Sequence, residues 1–159
     1  MKKTIFIIFT ILIFVPVYGQ DINYGGVYAY GTHPDSGRTG VISVFPDSDS
    51  MLLFYLELNR GAPSYNSGAI AGQMKVYGPG EADFTMVQKE NFINCSINFW
   101  FTNDSLYIRT NDLADECGYG YGVFSDGDFK LKDSIRPTFY VNRAGEKKYF
   151  SKLKKKSKE

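Results

Sequence analysis

The chain has 159 residues, of which 43% are hydrophobic and 16% aromatic, a length in the range of one domain. Two cysteines and a single histidine cannot supply the four ligands of a structural zinc site. The formal net charge of +1 hides an asymmetry: residues 20–142 hold 8 basic and 15 acidic side chains, a net of −7, whereas residues 143–159 hold 8 basic and 2 acidic ones.

Met1-Lys2-Lys3 gives a positive start, an apolar run follows from Ile5 to Val17 with Thr10 inside it, and Val17-Tyr18-Gly19 closes the segment with small or apolar residues. That layout predicts a secretory signal peptide over residues 1–19, cleaved after Gly19. The run is shorter than the roughly 20 apolar residues that span a bilayer, so no stable membrane span is expected after cleavage. No cysteine follows it to carry a lipid. The expected mature chain is soluble and either secreted or periplasmic, with one β domain over residues 20–142 and a basic, flexible tail over 143–159.

Alternation with a period of two dominates the mature sequence. Gly26 to Tyr30 reads as a first strand, and His33-Pro34-Asp35-Ser36-Gly37 as a turn. Val41 to Phe45 follows, then the polar turn Pro46 to Ser50. From Met51 to Leu58, residues Leu52, Phe54, Leu56 and Leu58 share one face and Tyr55 and Glu57 the other, which predicts a strand with one buried face. Asn59 to Gly68 is a loop longer than a hairpin needs. Ala69 to Tyr77 resumes strand character, Gly78-Pro79-Gly80 turns the chain, and Phe84 to Val87 is a short strand. Ile93 to Phe101 alternates most clearly, and Asn103-Asp104 turns it into Leu106 to Thr110. The pattern is lost from Asn111 to Gly122. Val123-Phe124 and Asp128 to Leu131 flank a turn at Asp126-Gly127, and Thr138 to Val141 reads as a last strand.

About eight short strands without an intervening amphipathic helix predict an all-β antiparallel meander, folded as a partly closed barrel or a sandwich, with the barrel preferred. Cys95 and Cys117 are expected to form a disulfide in an oxidising compartment, pinning the 111–122 loop and contributing about 3 kcal/mol by restricting the unfolded chain.

Catalytic patterns are weak. His33-Pro34-Asp35 pairs an imidazole with a carboxylate, but its neighbours are turn formers and no Gly-x-Ser-x-Gly elbow accompanies it, so a turn histidine is the better reading. The carboxylates Asp35, Asp47, Asp49, Glu57, Glu81 and Asp83 could support glycoside hydrolysis only if two converged, and their spacing does not bring them together. Asp47-Ser48-Asp49-Ser50 opens like a calcium loop, yet Leu52 stands where the obligatory glycine belongs. No enzyme activity, cofactor or metal is expected, and export argues against nucleic acid as the purpose of the lysine-rich end.

The loop at 59–68 carries the candidate partner-binding residues Arg60, Tyr65 and Asn66, types that anchor interfaces or adapt their hydrogen bonds. The expected function is a non-enzymatic binding domain that presents loops to a protein or glycan outside the cytoplasm, the acidic body favouring a basic partner. A lipocalin-like barrel holding an apolar ligand among Phe54, Leu56, Ile97 and Phe99 is the alternative, and a carboxylate-based hydrolase a remote one.

Cys95-Ser96-Ile97-Asn98-Phe99-Trp100-Phe101, Leu106-Tyr107-Ile108, Cys117-Gly118-Tyr119-Gly120 and Gly122 to Gly127 form an ordered series. This series resembles the closing motif of uncharacterised small exported bacterial β-domain proteins, some loosely grouped with lysozyme inhibitors. The resemblance implies an exported β domain. The Ser-Gly-x-Gly-x-Arg-Tyr-like motif of one such inhibitor family is absent, so no inhibitory residue is carried over.

Overall fold

Eight strands pair in sequence order and close on themselves: β1 (Gly26–Tyr30), β2 (Thr39–Ser48), β3 (Met51–Asn59), β4 (Ser67–Gly78), β5 (Glu81–Gln88), β6 (Ile93–Phe101), β7 (Ser105–Thr110) and β8 (Gly127–Asp133). The computed structural model describes residues 22–88, 93–111 and 117–156, so the expected leader lies outside the described residues. β8 returns antiparallel to β1, with Tyr28 opposite Leu131 and Ala29 opposite Lys130. The barrel is therefore fully closed, where the sequence left closure partial. Closure also removes the unpaired strand edges that an open meander would expose.

The period-two pattern sets which side chains enter the barrel. Leu52, Phe54, Leu56 and Leu58 of β3, Ile97, Phe99 and Phe101 of β6, and Phe129 of β8 are all buried. Many outward positions of the barrel strands are polar, among them Ser43 of β2, Gln73 of β4, Asn94 and Asn98 of β6, and Arg109 of β7. An apolar inside and a polar outside is the reverse of a lipid-facing barrel.

Large rings and glycines alternate so that the interior is packed. Phe54 lies 5.1 Å from Phe84 and 5.3 Å from Phe99, centroid to centroid. Gly72 leaves the space that Phe84 occupies, since a Cβ at this position would come within 2.4 Å of the ring. One end is stoppered by the segment before β1: Tyr24 packs edge-on against Phe101 at 5.1 Å, and its hydroxyl accepts from the Gly80 N–H at 3.0 Å. At the other end Cys117, Tyr119 and Val123 join the same core.

The remaining elements lie outside the barrel. β9 (Phe139–Val141) and β10 (Lys147–Tyr149) form a two-stranded sheet, and α1 (Phe150–Lys156) follows directly. Phe150 is fully buried with Leu53 and Tyr55, both from the outward face of β3, and stacks on Phe45 at 5.6 Å. Tyr140 stacks on Tyr55 at 4.2 Å.

Two expectations are corrected here. β3 is buried on both faces, because Leu53 and Tyr55 meet these rings instead of water. The basic segment expected to fray from Arg143 onward instead carries strand and helix to Lys156, because Phe150 and Leu153 supply an apolar stripe that docks on the barrel wall.

Candidate functional site

The connections β2–β3, β4–β5 and β6–β7 are tight turns at one end of the barrel, whereas the four longer ones lie at the other end. Connection length is what separates a structural end from one able to carry a site. At the long-loop end the segments 31–38, 60–66 and 117–126 touch one another.

All three sequence-predicted residues sit here, in the 60–66 loop. Its backbone closes on itself: Arg60 N–H donates to the Asn66 carbonyl at 2.8 Å, and Tyr65 N–H to the Gly61 carbonyl at 2.9 Å. Asn59 stabilises the turn by accepting from Gly61 N–H at 2.7 Å. Gly61 has φ +83, and a Cβ there would lie 2.3 Å from the Gly37 carbonyl, so glycine is required where the two loops meet.

Each candidate side chain reaches a different neighbour. The Asn66 amide donates to the Tyr121 carbonyl at 2.8 Å. The Tyr65 hydroxyl donates to the Asp35 carboxylate, and this bond raises the tyrosine pKa because it favours the protonated phenol. Tyr65 itself has φ +51, a left-handed conformation uncommon for a bulky residue, held by those contacts. The Arg60 guanidinium lies against Gly122, where a Cβ would be 2.7 Å from Nη1, and 5.7 Å from the Tyr121 ring centroid.

The last loop is braced from three sides. The Cys95–Cys117 disulfide forms as expected, with the Cα atoms 4.6 Å apart, and ties the loop to the start of β6. Such a bond belongs to an oxidising, non-cytoplasmic compartment. Tyr119 inserts its ring over Gly68, where a Cβ would be 2.5 Å away, and its burial pushes the hydroxyl pKa well up. Arg38 donates to the carbonyls of Phe124 at 3.2 Å and Asp126 at 3.3 Å, and its guanidinium lies 5.6 Å from the Phe124 ring.

Fixed in this way, three rings face solvent. Tyr121 is 80% exposed, Tyr65 49% and Phe124 48%. Sequence reasoning missed Arg38, Tyr121 and Phe124. The only hint was the Tyr119-Gly120-Tyr121-Gly122 spacing, in which the ring that enters the core and the ring that leaves it are two residues apart.

The other candidates stay apart. His33 caps a 3-10 turn over Pro34–Ser36: its Nδ1 accepts from Asp35 N–H at 3.2 Å and lies 3.3 Å from the exposed Asp35 carboxylate. Glu57 is on the outer wall, where it accepts from the Tyr55 hydroxyl at 3.0 Å. Asp47, Asp49 and Glu81 lie toward the short-turn end, and Asp83 faces Lys75 across the β4–β5 pair. An open groove of about 460 Å³ runs between the outer wall and the C-terminal elements, lined among others by Tyr55, Ala71, Tyr140, Lys152 and Leu153.

Compared with protein-family models, with curated proteins and with solved structures, the chain matches none of them.

Proposed function

We propose that this chain is an exported, non-enzymatic binding domain that recognises a protein partner through the long-loop end of its barrel. The observation that carries this reading is the bracing of the 60–66 loop against two others, with Tyr65, Tyr121 and Arg60 held on the surface. Tyrosine and arginine dominate interface energetics, and a loop fixed before binding loses little entropy on association. Residues 20–142 carry a net charge of −7, which favours a basic partner.

Two features weigh against the competing readings. A lipocalin-like site needs a hollow lumen, whereas Phe54, Leu56, Ile97 and Phe99 are fully buried among rings that fill theirs. A carboxylate hydrolase needs two acids across a cleft, and the candidates lie on different parts of the surface. A glycan partner is the second reading, favoured by the exposed Tyr121 ring with Arg60 beside it, an arrangement on which a sugar can stack.

The test is capture of partners at low salt from envelope or culture material, followed by titration of the purified partner. Arg60→Ala with Tyr121→Ala should weaken binding by at least about tenfold, since central Tyr and Arg truncations cost roughly 2 kcal/mol or more. Equal affinity of the double variant and the parent would refute the assignment of this face.

A further inference from the structure

The β9–β10 sheet has two faces with different partners. Its register sets Val141 opposite Lys147, Tyr140 opposite Lys148 and Phe139 opposite Tyr149. Alternation therefore puts Tyr140 and Lys148 on one face, and Phe139, Val141, Lys147 and Tyr149 on the other. Tyr140 stacks on Tyr55 of the barrel wall, so Phe139, Val141 and Lys147 are turned away from the wall, while Tyr149 also borders the groove beside it. Its apolar members are partly solvated: Phe139 is 39% exposed, Val141 51% and Tyr149 43%. Lys147 Nζ sits 3.7 Å from the Phe139 centroid and 5.4 Å from that of Tyr149.

The charge of this region is concentrated and mostly positive. Residues 143–159 carry eight basic and two acidic residues, and one of the acids, Glu146, is paired with Lys148 at 2.9 Å. Residues 20–142 carry a net charge of −7. Anything anionic is thus attracted to the C-terminal elements and repelled by the barrel body.

We propose that this outward hairpin face docks the protein peripherally on an anionic lipid bilayer, drawn there by the positive charge of residues 143–159. This goes beyond the loop-end reading and uses none of its residues. A soluble polyanion would neutralise the lysines but leave Phe139 and Val141 in water. A bilayer accepts both chemistries, with rings and aliphatic groups entering the boundary between headgroups and acyl chains while lysine ammonium groups reach back to the phosphates. The acidic body keeps the rest of the barrel off the surface.

The experiment is co-sedimentation of the full chain, as recovered from the producing cell, with phosphatidylglycerol–phosphatidylcholine vesicles and with phosphatidylcholine vesicles alone. The parent is compared with Lys147→Glu and with Phe139→Ser/Val141→Ser, which share its N-terminus, so any contribution from the first residues cancels. Binding should need the anionic lipid, fall as salt rises, and weaken by roughly tenfold or more in Lys147→Glu, which reverses one charge at the surface. It should weaken in the serine variant as well. Unchanged melting of Lys147→Glu shows that the loss is one of docking. Absence of binding, equal binding to neutral vesicles, or binding indifferent to the serine changes overturns the proposal. So does equally tight binding of soluble dextran sulfate that ignores Phe139, or a hairpin-dependent dimer in analytical ultracentrifugation.

Discussion

Gly72 illustrates how single positions in this barrel are set by their neighbours. Its missing side chain is the space into which Phe84 fits. Gly72→Val should therefore lower stability by about 1–3 kcal/mol in urea unfolding, because overpacking forces the ring off its rotamer. Pairing it with Phe84→Leu should restore part of the loss. The buried tyrosines make a pH prediction. Burial raises the Tyr28 pKa from 10.0 to about 12, and raises those of Tyr55 and Tyr119 as well. A phenol whose folded pKa is raised holds its proton more tightly in the native state, so its contribution is intact below pH 10 and lost as pH climbs through the folded value. Absorbance at 295 nm should show these phenols ionising only above pH 10, after the exposed tyrosines and together with loss of circular dichroism. Ionisation of all tyrosines before any unfolding would contradict it. The sequence showed the interface types Arg60, Tyr65 and Asn66 directly, because arginine and tyrosine stand out in a loop. It hid Arg38, Tyr121 and Phe124, because an aperiodic stretch carries no face from which to read exposure.

Strands were legible wherever alternation ran for five residues or more, and β1 and β6 have the bounds that the sequence predicts. β9 was legible as a strand, but its place outside the barrel was not. The C-terminal helix was missed because its apolar residues are few among lysines and owe their burial to Leu53 and Tyr55, nearly a hundred residues upstream. Local pattern does not report a partner so far away. Phe150→Ala should accordingly cost about 3 kcal/mol or more, as a core truncation does, and expose α1 to proteolysis. Near-parental stability would place this ring outside the folded unit. Cys95→Ser with Cys117→Ser should cost about 3 kcal/mol, since the bond closes a chain segment with a sequence separation of 22. Fast amide exchange should appear in the loop around Tyr119 before it appears in β3.

As a whole the molecule is a filled cylinder with a braced loop end, and its basic C-terminal elements are strapped to an otherwise acidic wall. The filled interior moves function to the surface, because Phe54, Phe84 and Phe99 occupy the space a ligand would need. The division of charge was visible in the sequence, but its arrangement in space was not, since that depends on where α1 docks. Loop-end association should slow as salt rises, as expected for steering between an acidic surface and a basic partner. The most direct measurement is hydrogen exchange of the chain with and without its captured partner. Slowed exchange is predicted in residues 31–38, 60–66 and 117–124, with the outer wall of β3 and β4 unchanged. Protection confined to that wall, or spread along the strands of the barrel interior, would contradict a binding face built from the loops.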